Sequence, residues 1–178
     1  MTTVAKMMAA AAFSMVLLQG CSGKYHFTQV PDETKVIRDF AIEITPVDSS
    51  INDAYSAFNL NFTNNTNSAV KIDWNKTYFL DNNETRGRFM LAGTRFRDRN
   101  KPRPLETVEA HETFSELIYP VDYAVHYDHG WTNSGFGTGK RGILLTVLMN
   151  NREINQTVVL DIERGEEKTA EEETEAEQ

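Results

Sequence analysis

The stretch from Arg95 to Arg103 holds the densest group of cationic side chains in the sequence. Its five cations surround a single carboxylate, that of Asp98. Guanidinium and ammonium groups bind phosphates and carboxylates through charge-assisted hydrogen bonds. The stretch therefore predicts a contact surface for lipid phosphates or for an acidic segment, either of a partner or of this chain, with a solvated loop as the alternative. The candidate contact residues are Arg95, Arg97, Arg99, Lys101 and Arg103.

A second candidate contact region is the segment Val121–Lys140, which is rich in glycine and aromatic residues. We predict a long irregular loop there, with Trp131 and Phe136 exposed and able to contact a partner or a glycan. Its sequence Gly-Phe-Gly-Thr-Gly-Lys is superficially similar to a phosphate-binding loop. We reject nucleotide binding, because Ser134 and Arg141 stand where that motif requires glycine and a serine or threonine.

Histidines and a carboxylate, residue types that can bind zinc, lie together in the motif His126-Tyr-Asp128-His129, and His111 lies elsewhere in the chain. The spacing matches no metal signature, so we interpret these residues as surface loop residues and predict no metal site. No Gly-x-Ser-x-Gly elbow appears, and nothing local ties a serine, a histidine and an aspartate into a triad. We therefore expect neither a cofactor nor an enzymatic activity.

The only cysteine, Cys21, follows a segment typical of an export signal. Lys6 precedes an apolar run, Met7–Leu18, which has about the length of the hydrophobic region of a signal peptide and is too short to span a bilayer. Leu18 and Gly20, at the third and first positions before the cysteine, complete a pattern that resembles the lipobox of bacterial lipoproteins. The resemblance implies cleavage after Gly20 and acylation of Cys21 on its thiol and on its new amino group.

The lipid anchor implied by this resemblance would hold the protein in the bacterial cell envelope. Each buried CH₂ of an acyl chain contributes about 0.8 kcal/mol, so several chains anchor a protein stably. Cys21 would keep no free thiol, and the domain would fold without disulfides. Within that family Ser22, rather than an aspartate, after the cysteine implies transfer to the outer membrane. The expected partners are the membrane, through the N-terminal lipid, and another envelope protein.

The acidic charge is concentrated at the C-terminal end of the sequence. The formal net charge is −8, and residues 163–178 contain eight glutamates against Arg164 and Lys168. Like charges repel and this segment has no large apolar side chains, so we predict a disordered acidic tail. No basic stripe runs along the rest of the chain, so we do not expect nucleic-acid binding.

Period-two alternation of apolar and polar residues predicts half-buried β-strands in the middle of the chain. It is clearest at Phe40–Ile44, at Phe58–Phe62 and at Val70–Trp74. The last two segments flank an asparagine-rich turn, so we predict that they form a hairpin. Trp74 is expected to be a core residue.

Further strand patterns, with few helical ones, favour an all-β fold. We predict strands at Thr107–Pro120, at Ile143–Met149 and at Val158–Ile162, the second of them covered on both faces. Short strands with turn signals about every 8–12 residues resemble an antiparallel immunoglobulin-like β-sandwich. A chain of this size can bury a core of its own.

These patterns predict a domain order and a function. We expect a signal peptide at residues 1–20, a lipidated N-terminus and polar tether at 21–35, the β-sandwich at 36–162 and the disordered tail at 163–178. The predicted function is that of a non-enzymatic, lipid-anchored subunit that binds another envelope protein. The alternative is a glycan- or lipid-binding module that uses the aromatic loop.

Overall fold

The computed structural model describes residues 25–30, 39–50, 52–128 and 130–164, and these fold into β-strands with two single-turn 3₁₀ helices. The all-β class predicted from the sequence is confirmed. The strands are β1 (Tyr25–Val30), β2 (Phe40–Asp48), β3 (Tyr55–Asn64), β4 (Val70–Ile72), β5 (Tyr78–Asp81), β6 (Glu84–Leu91), β7 (Glu106–Val108), β8 (Thr113–Pro120), β9 (Ala124–Tyr127), β10 (Gly130–Asn133), β11 (Gly139–Met149) and β12 (Arg152–Arg164). Within the described ranges no helix is long and apolar enough to cross a membrane.

The strands form one curled antiparallel sheet in the order β1-β12-β11-β5-β6-β8-β3-β2. β4 pairs with β11 and with β7, and β9 and β10 form a separate hairpin. β6 joins the two halves of the sheet, because its first part pairs with β5 and its last three residues pair with β8. The curl brings the apolar faces of both halves onto a common core.

Aromatic rings from both halves of the sheet fill the centre of this core. The ring of Phe58 on β3 lies 5.0 Å from that of Phe136, and the ring of Phe79 on β5 lies 5.5 Å from it, measured between centroids. Trp74 is 3% exposed. Its prediction as a core residue is confirmed.

The predicted hairpin of Phe58–Phe62 with Val70–Trp74 is wrong. β3 pairs with β2 and β8, whereas β4 pairs with β11 and β7. The reason lies in the connection between them, where the buried side chain of Asn64 donates hydrogen bonds to the carbonyl oxygens of Ser68, Val108 and Glu109 at 2.8, 3.1 and 3.0 Å. These bonds hold the asparagine-rich segment as a crossing from one half of the sheet to the other.

The first strand, β1, lies in the range for which the sequence predicts a tether. It pairs with β12 along its whole length, from Tyr25 opposite Arg164 to Val30 opposite Val159. The ring of Phe27 packs edge to face on Tyr55, with 6.2 Å between centroids. Residues 25–30 are therefore part of the sheet. The predicted signal peptide, Cys21, the rest of the predicted tether and the acidic segment 165–178 lie outside the described residues.

Candidate functional site

The two contact regions predicted from the sequence lie side by side in the structure. The basic loop, Arg95–Arg103, follows β6 and contains the 3₁₀ helix Phe96–Asp98. The Trp131 indole N–H of β10 donates a hydrogen bond to the carbonyl oxygen of Thr94 at 3.1 Å. The rings of Phe96 and His126 lie 5.1 Å apart between centroids. The basic loop and the β9–β10 hairpin thus share one surface.

The hairpin β9–β10 corrects the prediction of a long irregular loop at Val121–Lys140. Its four residue pairs run from Tyr127 opposite Gly130 to Ala124 opposite Asn133. The ring of Trp131 packs edge to face on Tyr119 at 5.1 Å between centroids. Tyr119 lies directly opposite Met90 on β6, so the two side chains lie on the same face of the sheet. Met90 is fully buried but is not part of the core cluster, so this face is turned away from the core. The hairpin therefore lies on the outer face of the sheet.

Phe136 is a core residue, and its predicted exposure is wrong. It is 2% exposed, and its backbone exchanges two hydrogen bonds with that of Tyr55, at 2.6 and 3.1 Å. Gly135 makes this close approach possible, because it has a φ of +84° and a Cβ there would lie 2.9 Å from the Cβ of Ala54. Phe136 therefore offers no exposed ring to a partner.

Two of the five basic-loop cations hold the loop in place. The guanidinium of Arg99 lies over the ring of Phe96, 4.1 Å from its centroid, and donates to the Phe96 carbonyl oxygen at 3.1 Å. The guanidinium of Arg103 donates to the Thr94 hydroxyl. Burial lowers the pKa of Arg103, and the charge of Glu116 opposes that shift. Both arginines are half-buried, so they are positioning residues.

Side chains from outside the loop fix its ends. The Arg103 backbone N–H donates to Asn75 Oδ1 at 2.9 Å, and Asn75 Nδ2 donates to the Arg103 carbonyl oxygen at 2.8 Å. Arg88 of β6 donates to the carbonyl oxygen of Asn100 at 2.9 Å. The loop therefore has one defined shape, and a preorganised surface loses less entropy on binding than a flexible one.

The other three cations, Arg95, Arg97 and Lys101, are exposed to solvent. Asp98 lies between them, 2.6 Å from the Lys101 ammonium and 3.9 Å from the Arg97 Nε. The hydrogen bond from Lys101 is the largest of the effects that lower the pKa of the Asp98 carboxyl. Three cations against one carboxylate leave the outer side of the loop with a net positive charge.

We call the outer side of this region the basic–aromatic surface. It also contains a residue that the sequence analysis missed, Tyr127, whose side chain is 54% exposed at the end of β9. Its place between polar residues in the His-Tyr-Asp-His motif is the sequence signal for this exposure. The surface consists of Arg95, Arg97, Lys101, His126, Tyr127 and Trp131.

The two described histidines of the candidate motifs, His111 and His126, make separate contacts in the structure. His111 Nε2 donates a 2.9 Å hydrogen bond to Asn67 Oδ1, and the ring of His126 packs at a tilt against that of Phe96. His129 lies outside the described residues. Among the described residues no group of three or more histidine, cysteine, aspartate or glutamate side chains is placed to hold a metal ion.

The chemistry that the basic–aromatic surface offers is recognition of an anionic group. Exposed guanidinium and ammonium groups supply charge-assisted hydrogen bonds, and adjacent aromatic rings supply apolar contact area. Arginine, tyrosine and tryptophan are the residues most enriched at the energetic centres of protein interfaces. The chain matches no family model, no curated protein sequence and no solved structure.

Proposed function

We propose that this chain is a lipoprotein of the bacterial cell envelope that works as a non-enzymatic accessory subunit. Its acylated Cys21 anchors it to a membrane, for which Ser22 favours the outer one, and its β domain binds another envelope protein. The lipobox pattern at Leu18–Cys21 supports the anchor. The union of the basic loop and the β9–β10 hairpin into one exposed surface carries the binding part of the proposal.

A protein partner is favoured over a glycan because of how the aromatic residues are used. Phe136 is buried in the core, and the Trp131 indole is half-buried with its N–H bonded to Thr94. Neither residue presents an open flat ring of the kind on which a sugar stacks, which leaves Tyr127 as the one exposed tyrosine or tryptophan ring of the basic–aromatic surface. The exposed charges of Arg95, Arg97 and Lys101 instead fit an acidic protein segment, for which charge complementarity also raises the association rate.

The finer fold assignment, an immunoglobulin-like β-sandwich, belongs to the same proposal. The strands β2, β3 and β8 form one half of the sheet, and β1, β12, β11 and β5 form the other. The two halves place apolar residues on one core, as two stacked sheets do. β6 continues from one half into the other, which is the departure from a sandwich with two separate sheets.

Crosslinking in intact cells, followed by affinity purification and mass spectrometry, tests the proposal. The wild-type protein is compared with Cys21→Ser, which cannot be acylated at that position. We expect one abundant envelope protein to be enriched with the wild type and to be lost with Cys21→Ser, since the anchor brings the domain to its partner. No enrichment with the wild type would contradict a role as an accessory subunit.

A further inference from the structure

The register of the sheet places four chain segments at one end, which we call the anchor end. Tyr25, the first residue of β1, lies opposite Arg164 near the end of the described chain. Gly139, the first residue of β11, lies opposite Ile162 on β12. The tight turn between β5 and β6 is at the same end, because Asp81 lies opposite Arg141. The anchor end therefore consists of Tyr25, the turn Asp81–Glu84, Gly139 and Arg164.

The sequence leaves little chain between Cys21 and this end. Only Ser22, Gly23 and Lys24 separate Cys21 from Tyr25. Four steps between consecutive Cα atoms, each 3.8 Å, span at most about 15 Å. An acylated Cys21 therefore keeps the start of β1 within about 15 Å of the lipid headgroups.

We propose that the anchor end of the sheet faces the membrane and lies against its headgroups, with the basic–aromatic surface held away from the bilayer. This orientation rests on the proposed acylation of Cys21. The charges at the anchor end do not favour one sign, since Lys140, Arg86 and Arg164 are accompanied by Glu84, Asp161 and Glu163, and Asp81 forms a 2.9 Å ion pair with the buried Arg141. The short chain between Cys21 and β1 therefore carries the proposal.

The direction of β6 sets the distance of the basic–aromatic surface from the membrane. β6 starts at Glu84, in the anchor-end turn, and ends at Leu91, just before the basic loop. The basic loop starts after Leu91, seven residue steps or about 24 Å along the strand from Glu84, and its Asn100 is bonded to Arg88, which is four steps or about 14 Å from Glu84. The Debye length at physiological ionic strength is about 8 Å, so attraction between the basic loop and lipid phosphates is screened over both distances. In this orientation the basic loop binds an acidic segment of a protein partner and does not bind the headgroups of the bilayer that holds the lipid anchor.

Fluorescence quenching on single-cysteine variants tests the orientation. Lys140→Cys and Lys71→Cys form a matched pair, because both remove an exposed lysine. Lys71 lies opposite Leu148, eight residues from Lys140 along β11 and on the same face of the sheet, or about 27 Å away. Lys101→Cys reports on the basic loop. Each full-length lipidated variant is labelled with a maleimide fluorophore and placed in phosphatidylethanolamine–phosphatidylglycerol vesicles that contain a headgroup-nitroxide lipid.

We expect quenching at position 140 to be at least about twofold stronger than at positions 71 and 101, because nitroxide quenching needs near contact. Position 71 lies about 27 Å from position 140 along the sheet, and position 101 lies in the basic loop beyond β6. Equal quenching at positions 140 and 71, or stronger quenching at 101, would overturn the orientation. Maleimide labelling of the unmutated protein distinguishes a wrong orientation from a missing acylation of Cys21. A Cys21 that reacts with maleimide has a free thiol, which would overturn the proposed lipoprotein and the orientation with it.

Discussion

At the scale of single residues, Asn64 is the polar side chain on which the crossing between the two halves of the sheet depends. It is fully buried, and its amide donates to three carbonyl oxygens while its side-chain oxygen accepts hydrogen bonds from the backbone N–H and the hydroxyl of Thr66. A buried hydrogen-bonding group that loses its partner costs about 1–3 kcal/mol. The Asn64 side chain therefore stabilises the connection from β3 to β4, which crosses from one half of the sheet to the other.

We expect Asn64→Ala to lower the free energy of unfolding by about 3 kcal/mol, because it leaves several buried backbone groups without partners. Urea denaturation followed by circular dichroism measures the change. Asn59→Ala is the matched control, since Asn59 lies on the same strand with its side chain exposed. The control is expected to change the free energy of unfolding by less than about 0.5 kcal/mol. Equal losses in the two variants would contradict a special role for Asn64.

A second prediction concerns the carboxyl group of Asp98. Its pKa is lowered chiefly by the hydrogen bond from Lys101, with a smaller effect of the charge of Arg97. The interaction therefore contributes to stability above the usual pKa of an aspartate, and this contribution is lost as the pH falls through the lowered pKa. We expect Lys101→Ala to raise the pKa of Asp98 more than Arg97→Ala does, as measured by carboxyl NMR titration. A larger shift in the Arg97 variant would show that the pairing is assigned wrongly.

At the scale of elements, β1 extends the sheet beyond the predicted domain. Its side chains alternate, with Phe27 packed against the core while His26 and Thr28 are exposed. β1 also covers the edge of β12, whose backbone groups would otherwise be open to pairing with another chain. The strand thus links the proposed anchor directly to the body of the domain.

We expect Phe27→Ala to lower the free energy of unfolding by about 2 kcal/mol, less than for a fully buried phenylalanine because Phe27 is only partly buried. The same change should speed hydrogen exchange at the β12 amides that bond to β1. Thr28→Ala, on the exposed side of the same strand, serves as the control and should leave both measurements nearly unchanged. Unaltered exchange in β12 after Phe27→Ala would contradict the packing of β1 described here.

Element positions were more predictable from the sequence than element partners. Alternation identified the strands at Phe40–Ile44 and Phe58–Phe62. The strand predicted at Thr107–Pro120 is two strands, β7 and β8, which a turn at residues 109–112 separates. Alternation shows which face of a strand is buried but does not determine which strand pairs with it. For this reason the predicted hairpin of β3 with β4 is wrong. β1 was missed because Phe27 is the only large apolar side chain in its centre.

The candidate site was predictable in composition and only partly in geometry. The density of charge at Arg95–Arg103 was visible in the sequence, and Arg95, Arg97 and Lys101 are exposed as a contact surface requires. Phe136 could not be placed, because its burial depends on backbone bonds to Tyr55, far away in the chain. For the same reason, the meeting of the basic loop with Trp131 depends on the tertiary fold.

At the scale of the whole molecule, charge is segregated along the chain. The basic loop carries a net positive charge on its outer side, whereas residues 163–178 combine eight glutamates with one arginine and one lysine. Arg164, where the described chain ends, is at the anchor end of the sheet. An anionic membrane surface would repel the glutamates that follow it. Glu163 and Arg164, with which this acidic segment begins, thus lie at the anchor end, and the basic–aromatic surface lies near the other end of β6.

The measurement that tests the central claim most directly is partner capture by a variant that lacks the three exposed cations of the basic–aromatic surface. Arg95→Ala, Arg97→Ala and Lys101→Ala are combined in one lipidated protein, and the captured envelope partner is quantified against the wild type after crosslinking in cells. The matched control combines Lys71→Ala, Lys76→Ala and Arg152→Ala, three exposed cations outside both the basic–aromatic surface and the anchor end.

We predict that the surface variant loses at least about tenfold in captured partner, because three charged contacts of about 0.5–1 kcal/mol each are removed, while the control variant keeps wild-type capture. Unchanged melting temperatures would show that both variants remain folded. Undiminished capture by the folded surface variant, or equal losses in both variants, would contradict the claim that this protein binds its partner through the basic–aromatic surface.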